Sequence, residues 1–575
     1  ILIDRGHDIP STLVVYLHIM NEEKLNWRER NKVALTPYEY LQNIESIYFD
    51  FISDDDRAYL QDAGIYNHEA EEDMFILRLR FNAGRISTEQ LLFIADLVKR
   101  YELEIILTVR AQMQLHGLSA DTVLSAWKEL NENGISTWQT LGDNVRNIVT
   151  DVYDGVGTYA EIEVYPYIEQ MQEYILNKPR FVGMLPRRVS VGISGNRANL
   201  GSLFSNDLFF ALAQKDGVKG FNVYLGGKNS EIAQDADIFL KPSQVVEYFI
   251  AVVEAFHLHG SRAVRGKTRL FHWIKKEGIE GVKKLIDKEH SLEYQNAGDS
   301  LLEKYDRRAP VHFKDKTYVY VYHTDFARVD ADTFIKLSEF ASEHKAEVRL
   351  GIDQQIYFLG LKTPVAPFEN PRRLSTISAC AGNEHCIFSF WHVKDDTRFL
   401  PLALIEKHKI VVGFSGCTKG CGKHQHCDIG LLSMHTSSYG PHQEAAKIYL
   451  GGEYSLGQSI ARCLNVIVPK EAVNSFLEVI IEEFEQSEYE EFEFFSKGIL
   501  NGYSPDFLSL WFLAKLSTQG EIFLPRNSEV SGDVCSKREQ ELLSKSFTDI
   551  FPSENFKCSS EMTRLSKRLW EQNQS

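Results

Sequence analysis

No cysteine occurs before Cys380, and the whole chain of 575 residues has only eight. A secreted disulfide framework spreads its cysteines through a shorter chain, so that class is excluded. Long apolar runs are also missing, and no stretch reaches the roughly eighteen residues a membrane span needs. The run at residues 13–20 contains His18, lacks a cleavage pattern, and reads as core rather than signal peptide. Positive charge is in deficit: 63 Lys and Arg face 80 Asp and Glu, net −17, which argues against nucleic acid as a partner. No G-x-G-x-x-G follows a strand pattern, so a flavin or dinucleotide fingerprint is absent. The expectation is a cytoplasmic globular protein of several domains, with no membrane anchor and 43% hydrophobic residues for its cores.

The cysteine that is present is clustered. "ACAGNEHC" carries Cys380 and Cys386, and "GFSGCTKGCGKHQHC" carries Cys417, Cys421 and Cys427. The first four form C-x5-C, a gap of thirty residues, then C-x3-C. Four thiolates in Gly-rich loops suit an iron–sulfur cubane; zinc prefers tighter pairs, and unligated thiols are the third alternative. Cys463, Cys535 and Cys558 read as ordinary core thiols of a reducing compartment.

The chain also repeats itself. Residues 76–118 align without a gap on 319–361, so that Arg85 meets Arg328, Gln112 meets Gln355, and Gly117 meets Gly360. Each copy reads strand, turn, amphipathic helix, strand, with Leu91, Leu92, Ala95, Leu97 and Val98 as the apolar stripe of the first helix. Further on, "VSVGISGN" (189–196) matches "IVVGFSGC" (410–417), and "VYLGGKNS" (223–230) matches "IYLGGEYS" (448–455). In this register Asn196 stands where Cys417 does and Leu200 where Cys421 does. Conversely, Arg110 and His116 become Asp353 and Leu359. Fold-building residues recur while reactive ones occur once, which places a site between the halves.

These motifs resemble the siroheme-dependent sulfite and nitrite reductase family over residues 40–500. The resemblance implies an α+β fold of two pseudo-symmetric halves. Each half pairs a ferredoxin-like reductase repeat with a larger α/β siroheme and cluster domain. The implied layout is an N-terminal extension at 1–65 wrapping the core, repeats at 66–135 and 301–365, larger domains at 136–300 and 366–500, and a C-terminal tail at 501–575. Cys380, Cys386, Cys417 and Cys421 would ligate a [4Fe–4S] cluster, with Cys421 also bridging to siroheme iron. His385, His424 and His426 are then not ligands.

The resemblance also implies an anion site. "ILRLRFNAG" resembles the family's "LLRCRLPGG", which makes Arg78 anion-facing with Arg80 beside it. "TVRAQMQLHG" resembles "TNRQTFQFHG" and carries Arg110, Gln114 and His116 into the siroheme pocket, with Ala111 in place of a usual Gln. "GDNVRN" brings Arg146 to the substrate. "LPRRVS" stands for "LPRKFK", giving Arg188 and Ser190 where two lysines are usual. In "GSRAVRGKTRLFHW", Arg262, Arg265, Lys267 and Arg269 are candidate partners for the siroheme carboxylates. The implied reaction is six-electron reduction of sulfite to sulfide, with nitrite to ammonia as the alternative. A precorrin monooxygenase relative or a non-enzymatic cluster or zinc protein stand further off. Electrons would come from an external donor such as ferredoxin.

Overall fold

The computed structural model describes residues 24–44, 52–67, 74–308, 311–368, 376–438, 442–518, 522–525, 534–551 and 556–572. The run at 13–20 lies outside them. No helix among the described residues is long and apolar enough to cross a membrane.

The two reductase repeats are built alike. The first has strands Met74–Leu79, Glu104–Thr108 and Gln112–Ser119 around the helix Thr88–Tyr101. Ser87 opens that helix with a capping box to Gln90, and Glu102 closes it at φ 55°. Leu91, Ile94, Ala95, Leu97 and Val98 face the core. Leu92 lies outward, 40% exposed, because Ile94 rather than Leu92 completes the three-to-four spacing. The second repeat has Tyr318–Tyr322, Glu347–Leu350 and Ile356–Leu361 around Ala331–His344.

Each repeat lends a short strand to the other. Arg85–Ile86 pairs with the second repeat, Arg349 opposite Arg85 and Val348 opposite Ile86. Arg328–Val329 pairs with the first, opposite Ile106 and Ile105. The exchange, together with the packing of the two repeat helices, merges both repeats into one core.

The larger domains repeat a second pattern. In one, Val191–Ser194 runs parallel to Leu208–Lys215, followed by antiparallel Val218–Leu225 and Gln234–Leu240. In the other, Ile377–Ala379, Val412–Ser415 and Ile429–Thr436 run parallel, followed by antiparallel Gln443–Leu450 and Arg462–Pro469. Loops leaving the parallel strands carry the four cysteines in the second domain and Asn196 and Leu200 in the first.

The N-terminal segment is clamped by buried charge. The helix Trp27–Ala34 places Arg28 on Asp62 and Lys32 between Glu29 (2.7 Å) and Asp143 (2.9 Å). Glu29 also takes the fully buried Arg262. Losing one partner here strands a buried charge, which typically costs about 3–5 kcal/mol. The C-terminal segment is core rather than an appended tail. In the helix Pro505–Thr518, Phe507, Leu510, Trp511 and Leu513 are all buried, and Trp511 donates to Glu483 at 2.7 Å. Cys535 and Cys558, expected as separate thiols, are paired in a disulfide that joins this segment to the last helix.

Candidate active site

A cleft of about 1330 Å³, counted out to its open mouth, lies between the first reductase repeat and the cysteine loops. Cys380, Cys386, Cys417 and Cys421 all line it, facing Tyr66, Phe75 and Arg78. Cys380 is buried, Cys386 and Cys417 are half-buried, and Cys421 is exposed. Among the described residues no three Cys, His, Asp or Glu side chains converge tightly enough to hold a single ion. Four thiols around one opening supply the ligand set of an iron–sulfur cubane.

Backbone N–H groups are aimed at the sulfurs. Gly416 N–H lies 3.0 Å from Cys380 Sγ, Phe388 and Ser389 donate to Cys386, and Lys419 donates to Cys417. Burial pushes the Cys380 thiol up to about 12, and these donors act in the opposite direction. The loops need glycine for this geometry. A Cβ on Gly416 would fall 1.9 Å from Ser389 Oγ, and Gly420 adopts φ 70° against Asn229. Asn229, in the first half's repeated "LGG" segment, donates through its amide to Lys419 O at 2.5 Å. The matching Tyr454 of the second half accepts from Ser202 N. Each half thus seats the other half's loop.

Cys427, His424 and His426 stay off the cleft. Cys427 is buried, with its thiol on the carbonyls of His424 and Ile429. His424 packs on Tyr449, and His426 meets Lys228 O at 3.0 Å. Burial pulls both imidazoles down to about 4. His385 does line the cleft, stacking edge-on against His116 at 4.6 Å. Gln114 is paired across the sheet with Arg78 and sits 3.2 Å from His116.

Four arginines gather beside this wall. Arg78, Arg110, Arg146 and Arg188 each lie within electrostatic reach of the others, and burial with mutual repulsion lowers Arg110, Arg146 and Arg188. Arg110 holds Asn206 Oδ1, and Arg146 donates to the carbonyls of Thr140 and Gly142 while its Nε has no partner. Arg188 has no hydrogen-bond or ion-pair partner among the described residues, and its neighbours include Cys421. A half-buried set of repelling guanidiniums is unfavourable unless anions join it.

Other sequence candidates are placed differently. Arg80 is buried in a clasp, donating to the carbonyls of Gln139, Val145 and Arg146 and to Gln172 Oε1. Ser190 is not aimed at the cleft: its hydroxyl donates to Asp207 Oδ2 at 2.5 Å, and its N–H does so at 2.9 Å. Asp207 is held in turn by Arg269. Arg262 and Arg265 are likewise taken by Glu29 and Asp143, so protein carboxylates occupy the arginines expected to meet tetrapyrrole carboxylates. The pairing residues, Glu29, Asp143 and Asp207, lie far away in sequence and carry no motif. Gln354, at the position of Ala111 in the repeat, carries no motif either. It donates to Leu107 O and Ala379 O and accepts from Ala379 N, fixing the Cys380 strand to the first repeat.

The chain is similar to known proteins across both halves. Residues 67–133 match the nitrite/sulfite reductase ferredoxin-like half domain, and 141–293 match the nitrite and sulphite reductase 4Fe-4S domain. The latter match falls on the copy without cysteines. A ferredoxin–nitrite reductase of Synechococcus elongatus is 27% identical over 467 residues, covering 75% of this chain and 91% of the relative. The assimilatory ferredoxin-dependent nitrite reductase of Haloferax mediterranei is 25% identical, covering 72% and 80%. The chloroplastic ferredoxin–nitrite reductase of Zea mays is 27% identical, covering 75% and 82%. In fold, the chain superposes on Mycobacterium tuberculosis NirA with TM-score 0.73 over 82% of this chain and 96% of that one, at 21% identity. With its doubled architecture and four-cysteine cleft, the chain carries the ferredoxin-like half domain and the 4Fe-4S domain of the nitrite and sulfite reductases, oxidoreductases that use siroheme and a [4Fe–4S] cluster.

Proposed function

We propose that the chain is a ferredoxin-dependent nitrite reductase, converting nitrite to ammonia with six electrons from an external donor. The observation that carries the reading is Arg188, without a hydrogen-bond or ion-pair partner among the described residues, beside Cys421 within a set of mutually repelling arginines. Siroheme and the cluster would supply one-electron transfers to a bound anion. Cys380, Cys386, Cys417 and Cys421 would hold the cluster, with Cys421 as the shared ligand, and Arg78, Gln114 and His116 would bind the siroheme. Arg188 and Arg146 attract and orient the anion, and Arg78 adds further positive charge.

Sulfite is the first expectation from the sequence and nitrite the alternative; two findings favour nitrite. The relatives reported above are named ferredoxin–nitrite reductases. Ser190, at one of the two positions where lysines are usual, is neutral and held by Asp207, so a charge that would favour the more highly charged sulfite is missing. Steady-state turnover of nitrite and sulfite, measured side by side with reduced ferredoxin and with reduced viologen, tests this. A higher kcat/KM for nitrite with both donors is expected; preference for sulfite would reverse the assignment.

A further inference from the structure

Lys394 is 1% exposed, in the short helix Val393–Asp396 behind the first cysteine loop. Its ammonium donates to Phe326 O at 2.6 Å and to Ala379 O at 3.1 Å. Ala379 directly precedes Cys380. No carboxylate lies within ion-pairing distance of Lys394 among the described residues. The charges it senses are Cys380 first, then Arg328, Glu104 and Glu384. Burial is the main cause that pulls its ammonium down to about 7, and charge on Cys380 acts in the opposite direction. In the N-terminal clamp, by contrast, the buried Arg28, Lys32 and Arg262 each have a carboxylate on them. Lys394 is held only by neutral carbonyls, and a buried charge of this kind calls for an anion nearby.

We propose that Lys394 is the counter-charge of the cluster, a positioning residue that stabilises the group held by Cys380 and raises its reduction potential. The inference rests on the cluster reading above. A cubane held by four thiolates carries net negative charge, and each electron taken from the donor makes it one unit more negative. A cation fixed behind one ligand therefore favours the reduced form over the oxidised one, and nearby charge is among the protein's means of setting such potentials. The carbonyls of Phe326 and Ala379 fix the ammonium in place, so it cannot swing to solvent when the electron leaves. Phe326 lies in the second reductase repeat, next to the exchanged strand Arg328–Val329. The counter-charge is thereby tied to the seam between the halves.

The test uses the full chain as isolated with its cofactors, and the variants Lys394→Gln, Lys394→Met and Lys394→Arg. Iron and acid-labile sulfide per chain are measured first, then the cluster midpoint potential by dithionite titration followed by electron paramagnetic resonance. The neutral variants are expected to disfavour the one-electron reduction about tenfold, a fall of about 59 mV. Lys394→Arg is expected to stay near wild type. Unchanged potentials in Lys394→Gln and Lys394→Met with full cluster content would overturn the proposal, since a merely structural lysine leaves the potential alone. Where Lys394→Met does not assemble, Lys394→Gln decides, because its amide still donates to a carbonyl while carrying no charge. Wild-type protein lacking iron and sulfide would instead remove the cluster reading, and this proposal with it.

Discussion

The Asp151 carboxylate accepts a 3.0 Å hydrogen bond from the Asn196 amide, and these two residues occupy the positions of Cys380 and Cys417 in the opposite half. The same carboxylate accepts from the backbone N–H of Leu200, at the Cys421 position, at 2.6 Å, and from Tyr153 N–H at 2.9 Å. One buried carboxyl group thus joins, by hydrogen bonds, loop positions that carry thiols in the other half. Asp151→Ala leaves the donors of Leu200, Tyr153 and Asn196 without this acceptor. The expected loss is about 2–4 kcal/mol in chemical denaturation, with iron content per chain unchanged. Loss of iron at unchanged stability would mean that the first half's loop reports directly on the cluster.

Cys421→Ser is expected to remove siroheme as well as the cluster, because a hydroxyl is a poor soft ligand at the proposed bridge. Cys421 is the exposed member of the four, so the substitution leaves the packing of its loop largely intact. Iron, labile sulfide and the Soret band report the outcome. Full retention of both groups would take Cys421 out of the bridging position.

Arg188 and Arg80 separate recruitment of the anion from support of the fold. Arg188→Ala removes a guanidinium with no described partner, so its melting temperature is expected to hold while kcat/KM for nitrite falls about 10²–10³-fold. Arg80→Ala empties a clasp on three carbonyls and Gln172, so the expected effect is several degrees in melting temperature. An Arg80 variant that is fully stable but inactive would restore Arg80 to the anion site.

Much of this architecture was legible because it is local or repeated. The C-x5-C and C-x3-C pairs sit on loops after parallel strands, and the matched segments at 76–118 and 319–361 fold alike. The strand exchange was not legible, since Arg85–Ile86 and Arg328–Val329 are two residues each and find their partners only across the halves. The fate of individual arginines was hidden for the same reason. Arg262 meets Glu29 from 233 positions away, and Arg265 meets Asp143 from 122. Ser190 looked free to face an anion because Asp207, seventeen residues on, carries no motif of its own. Lys394, in "HVKDDT", has the composition of a solvated turn and became informative only through its burial.

Asp428 makes a pH prediction whose sign can be worked out. It is 5% exposed, accepts from Val411 N at 2.8 Å through Oδ2, and has no partner at Oδ1. Burial first, and then Glu493, push its carboxyl up to about 7, against Arg307 and Lys304, which pull the other way. The unfolded chain ionises near the ordinary value of 3.8. Between those two values the folded state binds more protons than the unfolded one. Stability from this group is therefore greatest at low pH and falls as pH rises toward 7. His424 and His426 act in the reverse sense: lowered to about 4, they withdraw stability as pH falls through the range from 6.5 to 4. The two effects overlap in the wild-type curve, so the informative quantity is the difference from Asp428→Asn, in which both histidines remain. The amide keeps an acceptor for Val411 N–H and never ionises. Its advantage over wild type is expected to grow across pH 4–7, at up to about 1.4 kcal/mol per unit of pKa shift, and to level off above pH 7. Paired denaturation curves at pH 5 and pH 8 measure it, and a difference that does not change with pH would mean that Asp428 is already ionised throughout that range.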